Sequence, residues 1–458
     1  KKKELHNKIG KTIEQLYKDN LQDHYGVLTE HFISSENYEK GADYSKLAEK
    51  KAEKTASFTD TVAYAKKRIS CLEKLPVDDD VEKKIIDART VLGLYYTQLG
   101  LLVEAKAAVD PIIDLAIKRN YKKRVSQINV ILGGYNHAVN EDYPKALEYY
   151  EKAIKIGEEL NDLLTLVLAN NFMGDCISAN CEFKKALIFY EKALGINVMV
   201  NVLWGVVAVK THIIKWVYSR LGNVELAYQT GQEVLKIADE SGDILSKGLA
   251  NFALGVSYYL KGYLKEAEEH LLKSGDLLQK INMLFWAADV YIYLGWTYLQ
   301  MGNYKTSQEH HKRSISLYRH CNMLPSWIIL NKFSTALAKV MNDEKDLNLN
   351  EIFKWYEDIK DKWVKGWVLN IIGEILLNIY AQHISEAEYW IKRAIETNQK
   401  YGMMWNLAQD YALYSKFYGR KGDLPKAKEN LNKAIEIFKE CGADGWVEKY
   451  EKELASFS

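Results

Sequence analysis

Residues 254–271 read LGVSYYLKGYLKEAEEHL, and residues 294–311, forty positions later, read LGWTYLQMGNYKTSQEHH. In both stretches an apolar residue precedes a glycine, and a small residue, Ala267 or Ser307, follows that glycine after twelve positions. Two antiparallel helices approach closely only where neither carries a bulky side chain at the crossing. Each stretch therefore predicts one antiparallel helix pair.

The same anchors recur along the chain at intervals close to 40 residues. Glycine and proline are rare between them, and apolar residues return at three- and four-residue spacing, which indicates helix. A repeat of this length predicts an array of similar units, each packed on its neighbours. We expect about ten pairs, beginning near residues 39, 81, 121, 162, 202, 243, 283, 324, 363 and 404. The small anchors are Ala105, Ala146, Ala186, Ala227, Ala267, Ser307, Ala387 and Ala427, and the glycine anchors are Gly93, Gly133, Gly174, Gly255, Gly295 and Gly373.

This pattern resembles the tetratricopeptide repeat, whose Leu-Gly-x-x-Tyr, Gly and Ala elements appear in order in both opening stretches. The usual period of that repeat is about 34 residues, so a period of about 40 implies longer helices. Such long-helix arrays are found C-terminal to bacterial signal-transduction ATPases, many of them linked to adenylate cyclases. The resemblance implies an all-α fold, a right-handed superhelix (α-solenoid) of antiparallel pairs over residues 39–443. A capping helix over residues 444–458 would cover the last pair.

One segment breaks the period. Residues 341–350, MNDEKDLNLN, replace the expected anchors, and the helix that follows is short. The degenerate segment 341–362 is either a functional hinge or a repeat that has drifted from the pattern, and both interpretations stay open.

The first 38 residues lie outside the repeat. The stretch 5–52 resembles the helical junction that follows the nucleotide-binding and winged-helix modules of signalling ATPases. With no initiator Met at Lys1, this resemblance implies an ATPase module upstream and makes residues 1–38 a junction. Residues 1–11, KKKELHNKIGK, lack the apolar core of a secretory signal.

Composition excludes several classes of protein. The 458 residues include 62 basic and 61 acidic side chains, a formal net charge of +1, which offers no electrostatic footprint for nucleic acid or an anionic membrane. No stretch approaches the ~18 apolar residues of a membrane helix. Five scattered cysteines predict reduced thiols and a cytoplasmic location.

The chain also lacks the common catalytic motifs. It has no G-x-x-x-x-G-K-[ST] loop, no G-x-G-x-x-G fingerprint, no G-x-S-x-G elbow and no H-E-x-x-H pair. Adjacent His310 and His311 point about 100° apart on a helix and would not share a metal ion in the usual way. We therefore predict no enzymatic activity, no cofactor and no metal in this chain.

The resemblance implies that the first helix of each pair lines a concave face. Groove positions would be six and three residues before the glycine anchor, and one, four and five after it. At about 100° per residue these positions share one stripe of the helix. Aromatic and amide side chains there suit peptide capture, because an amide pairs with both backbone groups of a peptide. The candidates are Asn171, Asp175, His212, Trp216, Arg220, Phe252, Tyr259, Asp289, Trp296, Gln300, Trp367, Asn370, Glu374, Asn378, Lys416 and Arg420.

These features predict a non-catalytic interaction and sensing arm of a signalling ATPase, which binds a partner protein or peptide, or the ATPase module itself. Two alternatives stay open. One is a free-standing adaptor, and the other is a receptor for a small effector around Trp216, Phe252 and Trp296. A Walker-type loop encoded before Lys1 would support the arm, and a start codon there the adaptor.

Tryptophan also recurs with the period, and most of these rings are expected to pack between neighbouring pairs. Their distance to the next small anchor drifts from 23 residues (Trp204 to Ala227) to 20 (Trp367 to Ala387). A drift of one residue turns a helix face by about 100°, which predicts that no continuous tryptophan ladder exists. Trp296 and Trp367 remain the preferred binding residues.

Overall fold

The computed structural model describes residues 1–54 and 57–457, which are helical apart from short turns and loops. Consecutive helices pack as antiparallel neighbours, so the predicted all-α architecture of helix pairs is confirmed. The chain divides into two compact units, Lys1–Leu166 and Val167–Ser458. In the described part of the chain, no helix combines the length and the apolar content needed to cross a membrane.

The first unit begins with the segment predicted as a junction. Its main core is formed by α3 to α8 and includes the anchor Ala105, which is fully buried. A Cβ atom on Gly93 would lie 2.7 Å from Ile131 Cδ1, so this anchor permits close helix contact. Its helices are α1 Lys2–Leu16, α2 Tyr25–Ser34, α3 Tyr38–Lys54, α4 Phe58–Leu72, α5 Asp79–Gln98, α6 Leu102–Val109, α7 Ile113–Lys118, α8 Lys122–Ala138 and α9 Tyr143–Leu160, with 3₁₀ turns at Lys18–His24 and Asp110–Ile112.

The second unit contains most of α10 and all later helices. Here α12 continues through a π-helical turn, Ile214–Tyr218, into α13. That turn holds Lys215, which stands where the glycine anchor is expected. The helices are α10 Leu163–Ala179, α11 Phe183–Met199, α12 Leu203–Ile213, α13 Ser219–Leu221, α14 Val224–Ser241, α15 Ile244–Lys261, α16 Leu264–Lys280, α17 Leu284–Gln300, α18 Tyr304–His320, α19 Pro325–Met341, α20 Leu349–Glu357, α21 Lys362–Ile379, α22 Ile384–Tyr401, α23 Met404–Arg420, α24 Leu424–Cys441 and α25 Asp444–Ala455.

The predicted starts of all ten pairs fall within two residues of the observed first helices. All eight small anchors are fully buried. Ser307 also donates a hydrogen bond from Oγ to the Gly295 carbonyl at 2.7 Å, across one crossing. After α19 the second helix of the pair, α20, is only nine residues long, as the degenerate segment 341–362 predicts. A helix occupies Asp444–Ala455 of the predicted cap, whose last residue, Ser458, lies outside the described residues.

The second unit also contacts itself across many repeats. The indole Nε1 of Trp405 on α23 donates to the Leu260 carbonyl at 3.0 Å, and that of Trp446 on α25 donates to the Tyr259 carbonyl at 3.0 Å. The array within this unit therefore bends until its last helices contact the end of α15. Repeat periodicity did not predict this contact.

Candidate binding site

Six tryptophans of the second unit form a continuous chain of ring contacts, in which the periodic Trp327, Trp367, Trp405 and Trp446 are joined by Trp216 and Trp363 from outside the periodic series. Their helices converge on the inner side of the bend, and large indole rings come within contact distance there although their register changes from helix to helix. The centroid distances are 5.2 Å for Trp216–Trp327, 5.1 Å for Trp327–Trp363, 5.1 Å for Trp363–Trp367, 6.2 Å for Trp367–Trp405 and 5.9 Å for Trp405–Trp446.

At one end of this chain lies a buried ion pair. Lys215 Nζ is 2.5 Å from Asp289 Oδ2, and it lies 4.2 Å from the ring centroid of Trp216 and 5.0 Å from that of Trp327. Tyr318 donates its hydroxyl proton to the other oxygen of Asp289 at 2.5 Å. Burial lowers the pKa of Lys215, and the neighbouring carboxylate opposes that change. This polar cluster is an internal packing element and is closed to solvent.

Other candidates share this interior. His212 Nδ1 lies 2.8 Å from Asp175 Oδ1, which also accepts a hydrogen bond from Tyr190 at 2.6 Å. The Arg220 guanidinium stacks 3.5 Å from the ring centroid of Trp363. These side chains contact one another and face no open groove, so a partner reaches them only if helices separate; their role in binding stays a prediction. The buried candidates in this interior are Asp175, His212, Trp216, Arg220, Phe252 and Asp289, while Asn171 is half-buried.

A cavity opens further along the inner side of the bend, where α15, α17, α19, α21, α23 and α25 meet. Its volume is ≈ 700 Å³ with the solvent-open mouth included. All of these helices are first helices of a pair, apart from the terminal α25, which agrees with the face that the resemblance implied. Seven of the candidates line it: Tyr259, Trp296, Gln300, Trp367, Asn370, Glu374 and Lys416.

Four aromatic rings form the apolar wall of the cavity. Trp296 stacks on Trp367 at 4.6 Å, Trp367 on Trp405 at 6.2 Å, and Tyr259 lies 5.6 Å from Trp405 and 6.3 Å from Trp296. The indole N–H of Trp296 donates to Ser334 Oγ at 3.1 Å, and Ser334 also lines the cavity. The rings therefore offer contact area at low entropic cost.

Asp410 provides a buried carboxyl group in the cavity. Asn370 Nδ2 donates to its Oδ1 at 2.7 Å, and Asn398 Nδ2 donates to its Oδ2. Burial raises the pKa of Asp410 to about 7, although both amides oppose the change. The group is therefore partly protonated at neutral pH.

Two amide groups on α23, both on residues that line the cavity, each have one buried atom without a hydrogen-bond partner among the described residues. These atoms are Asn406 Oδ1 and Gln409 Nε2. Residues three apart lie on one face of a helix, so these two side chains share one face of α23. Gln409 is held by its other amide atom, which accepts from the Tyr450 hydroxyl at 3.3 Å. Buried polar groups without partners are uncommon in proteins and call for an explanation.

Charged side chains stand at the mouth of the cavity. Lys416 Nζ lies 3.5 Å from Glu374 Oε1, and Lys449 Nζ lies 3.2 Å from Gln300 Oε1. The two remaining candidates lie beside the cavity, where Arg420 Nη2 donates to Asn378 Oδ1 at 2.5 Å and joins α23 to α21.

Ten residues that line the cavity are not among the sixteen predicted candidates: Leu299, Ser334, Leu337, Ile371, Trp405, Asn406, Gln409, Asp410, Leu413 and Tyr450. Trp405 was expected to pack between pairs, and Tyr450 belongs to the predicted cap. The periodic tryptophan itself was the available signal, because Trp405 continues the chain of ring contacts into the cavity wall.

Metal ligands and disulfides contribute nothing visible to this site. Within residues 1–54 and 57–457, no group of three or more His, Cys, Asp or Glu side chains is placed to hold a metal ion. All five cysteines are buried. Burial raises the pKa of the Cys441 thiol, for example, to about 12.

Known proteins share parts of this arrangement. Residues 411–441, which span most of α23 and all of α24, match the family model described as Tetratricopeptide repeat. This segment is similar to a tetratricopeptide repeat. No curated protein sequence matches the chain.

Several solved structures share its helical arrangement at low identity. A Rap protein complexed with competence and sporulation factor is 10% identical, with a TM-score of 0.40, over 88% of this chain and 99% of that one. Aspartyl phosphate phosphatase F from Bacillus subtilis is 12% identical, with a TM-score of 0.43, over 80% and 95%. The Rap conjugation gene regulator of plasmid pLS20, in complex with the Phr* peptide, is 14% identical, with a TM-score of 0.39, over 87% and 95%.

Proposed function

We propose that this chain is a non-catalytic binding and sensing protein, and that the cavity of its second unit captures a peptide segment of a partner. The observation that carries the proposal is the pair of buried amide atoms that have no hydrogen-bond partner, Asn406 Oδ1 and Gln409 Nε2. A peptide bond offers one N–H donor and one C=O acceptor. Asn406 would accept from the first and Gln409 would donate to the second, so both buried atoms would gain partners.

The rest of the cavity suits the same ligand. The wall of Tyr259, Trp296, Trp367 and Trp405 would cover apolar side chains of the segment. Lys416 and Glu374 at the mouth would meet charged flanking residues.

Peptide selection tests the proposal. A displayed library of random peptides is selected on the immobilised intact protein. The affinity of the recovered peptides is then measured by titration. We expect Asn406→Leu to weaken binding by about 5- to 150-fold, the range of ~1–3 kcal/mol for an unsatisfied buried polar group. Asn430→Leu is the matched control, because Asn430 is as buried as Asn406 but lies on α24 outside the cavity.

Two results would contradict the proposal. One is recovery of no peptide above the background of a bare surface. The other is equal loss of affinity in the Asn406 and Asn430 variants, which would show a general loss of structure. A small effector that competes with the peptide would favour the receptor alternative for the same cavity.

We further propose that the binding module regulates a signalling ATPase. The resemblance of residues 5–52 to a junction after such ATPases supports this, and the free-standing adaptor is the alternative. Sequencing the coding region before Lys1 distinguishes them: a phosphate-binding loop supports the regulatory arm, and a start codon supports the adaptor.

A further inference from the structure

The contact between the end of α15 and the last helices combines hydrogen bonds with ring contacts of Tyr259 to Trp405 and Trp446. Trp405 and Trp446 donate their indole protons to the carbonyls of Leu260 and Tyr259, 145 and 187 positions earlier in the chain. Carbonyls in the last turn of a helix have no partner within that helix. Trp405 therefore supplies a partner for the Leu260 carbonyl, and Trp446 supplies a second donor to the Tyr259 carbonyl, which also accepts from Gly262 N at 3.1 Å.

Three glycines at the same repeat position show how close this contact is. Gly222, Gly262 and Gly302 follow one another at intervals of forty residues, with φ of +76°, +89° and +78°. A Cβ atom on Gly262 would lie 2.5 Å from Trp446 N, and one on Gly222 would lie 2.6 Å from Cys441 Sγ. A Cβ atom on Gly302 would meet nothing within 4 Å. The first two glycines thus permit backbone contact with the C-terminal helices, and the third does not face them.

The charged groups at this contact remain paired or exposed when α25 separates from α15. Lys261 Nζ lies 2.7 Å from Glu225 on α14 and 3.3 Å from Asp444 on α25. Glu225 remains beside Lys261 when α25 moves away, and Asp444 is already exposed. Opening therefore leaves no buried lysine without a partner, which removes a large electrostatic cost.

The aromatic rings on the C-terminal side likewise keep partners of their own. Phe438 on α24 contacts Trp405 at 6.2 Å and Trp446 at 6.1 Å, and Tyr450 contacts Trp446 at 6.2 Å. Helices α23 to α25 therefore form a packed group that can move without losing its own core.

The cavity spans this contact. Tyr259 stands on one side, and Trp405, Asn406 and Gln409 stand on the other. We propose that the contact of Leu260–Gly262 with α23 and α25 is a latch, that its opening dismantles the cavity, and that a peptide in the cavity holds it shut. That a bound peptide holds the latch shut rests on the proposed function. A ligand that contacts both sides binds the closed form better and shifts the equilibrium toward it.

Hydrogen exchange of the intact, ligand-free protein tests the latch. Gly262→Ala places a Cβ atom against Trp446, whereas Gly302→Ala introduces the same positive-φ strain without that contact. We expect backbone amides of α23 and α25 to exchange at least about tenfold faster in the first variant only, as local opening becomes easier. Equal exchange in the two variants would overturn the latch.

Trp446→Phe serves if Gly262→Ala does not fold, because it retains an aromatic ring while it removes the pyrrole part of the indole with the N–H that donates to Tyr259. Faster exchange of α23 and α25 supports the latch, and exchange equal to that of the unmodified protein overturns it. The coupling is tested with a peptide recovered by selection, which should slow exchange of these helices in the unmodified protein. A peptide that binds and leaves hydrogen exchange unchanged refutes the coupling. Failure to recover any peptide refutes the proposed function. In that case the comparison of the Gly262 and Gly302 variants still decides whether the latch exists.

Discussion

Replacing Asp410 by asparagine should stabilise the protein at pH 8 and have little effect near pH 4. Burial raises the pKa of Asp410 from an ordinary 3.8 to about 7 in the folded protein. Between these values the unfolded chain releases the proton and the folded protein keeps it, so stability falls as pH rises. A displacement of this size corresponds to about 4 kcal/mol at pH 8, which the asparagine variant would not lose.

The surrounding amides can accommodate the variant. Asn398 donates to Asp410 through Nδ2, and its own Oδ1 has no partner among the described residues. Rotation of the Asn398 amide would turn that oxygen toward the new amide at position 410. Asn370 continues to donate to the remaining oxygen, and the rotated Asn398 Nδ2 replaces its Oδ1 as the atom without a partner, so the number of unpartnered Asn398 atoms does not rise.

Urea unfolding at pH 5, 6.5 and 8 is the assay, with the free energy of unfolding compared between variant and parent. The stabilisation of D410N should grow with pH and level off above pH 7. The control is Asp423→Asn, because its carboxylate accepts from Lys426 N at 3.2 Å and its pKa is lowered, so that variant should lose stability at pH 8. If D410N were less stable than the parent at pH 8, the ionised carboxylate would be a net stabilising acceptor and the reasoning would fail.

Two further predictions concern packing. Lys215→Met leaves the Asp289 carboxylate buried without its cation and should destabilise the protein by about 3–5 kcal/mol in urea unfolding. The control, Lys152→Met at an exposed ion pair, should cost less than about 1 kcal/mol. Similar costs for the two variants would contradict the burial argument. Gly255→Ala places a Cβ atom 2.6 Å from a facing leucine and should lower the melting temperature. Gly195→Ala lies inside α11, where the new Cβ atom meets nothing within 4 Å, and should raise stability by about 0.5–1 kcal/mol. A lower melting temperature for both variants would argue against contact at the helix crossing as the cause.

The helix pairs could be predicted because their signal is local and periodic. Ala267 and Ser307 recur at one repeat interval and are fully buried at helix crossings, as their size requires. The same register placed Trp296, Gln300 and Trp367 on one inner stripe, and all three line the cavity.

The contact between α15 and the C-terminal helices could not be predicted from the repeat pattern of the sequence. Whether Trp405 approaches Leu260, and whether Trp446 approaches Tyr259, depends on curvature summed over several repeats, and no spacing within one repeat records it. The cavity position of Tyr450 and the chain of tryptophan ring contacts depend on the same curvature.

The contact between Trp446 and α15 also has a consequence for folding kinetics. A simple repeat array folds by adding neighbours, and its ends fray first. Here the last helix joins a partner 187 positions earlier in the chain, which adds a pairing of very high contact order and slows the final step of folding. The second unit should therefore complete its structure late in synthesis and, once complete, resist unravelling from its C-terminal helix.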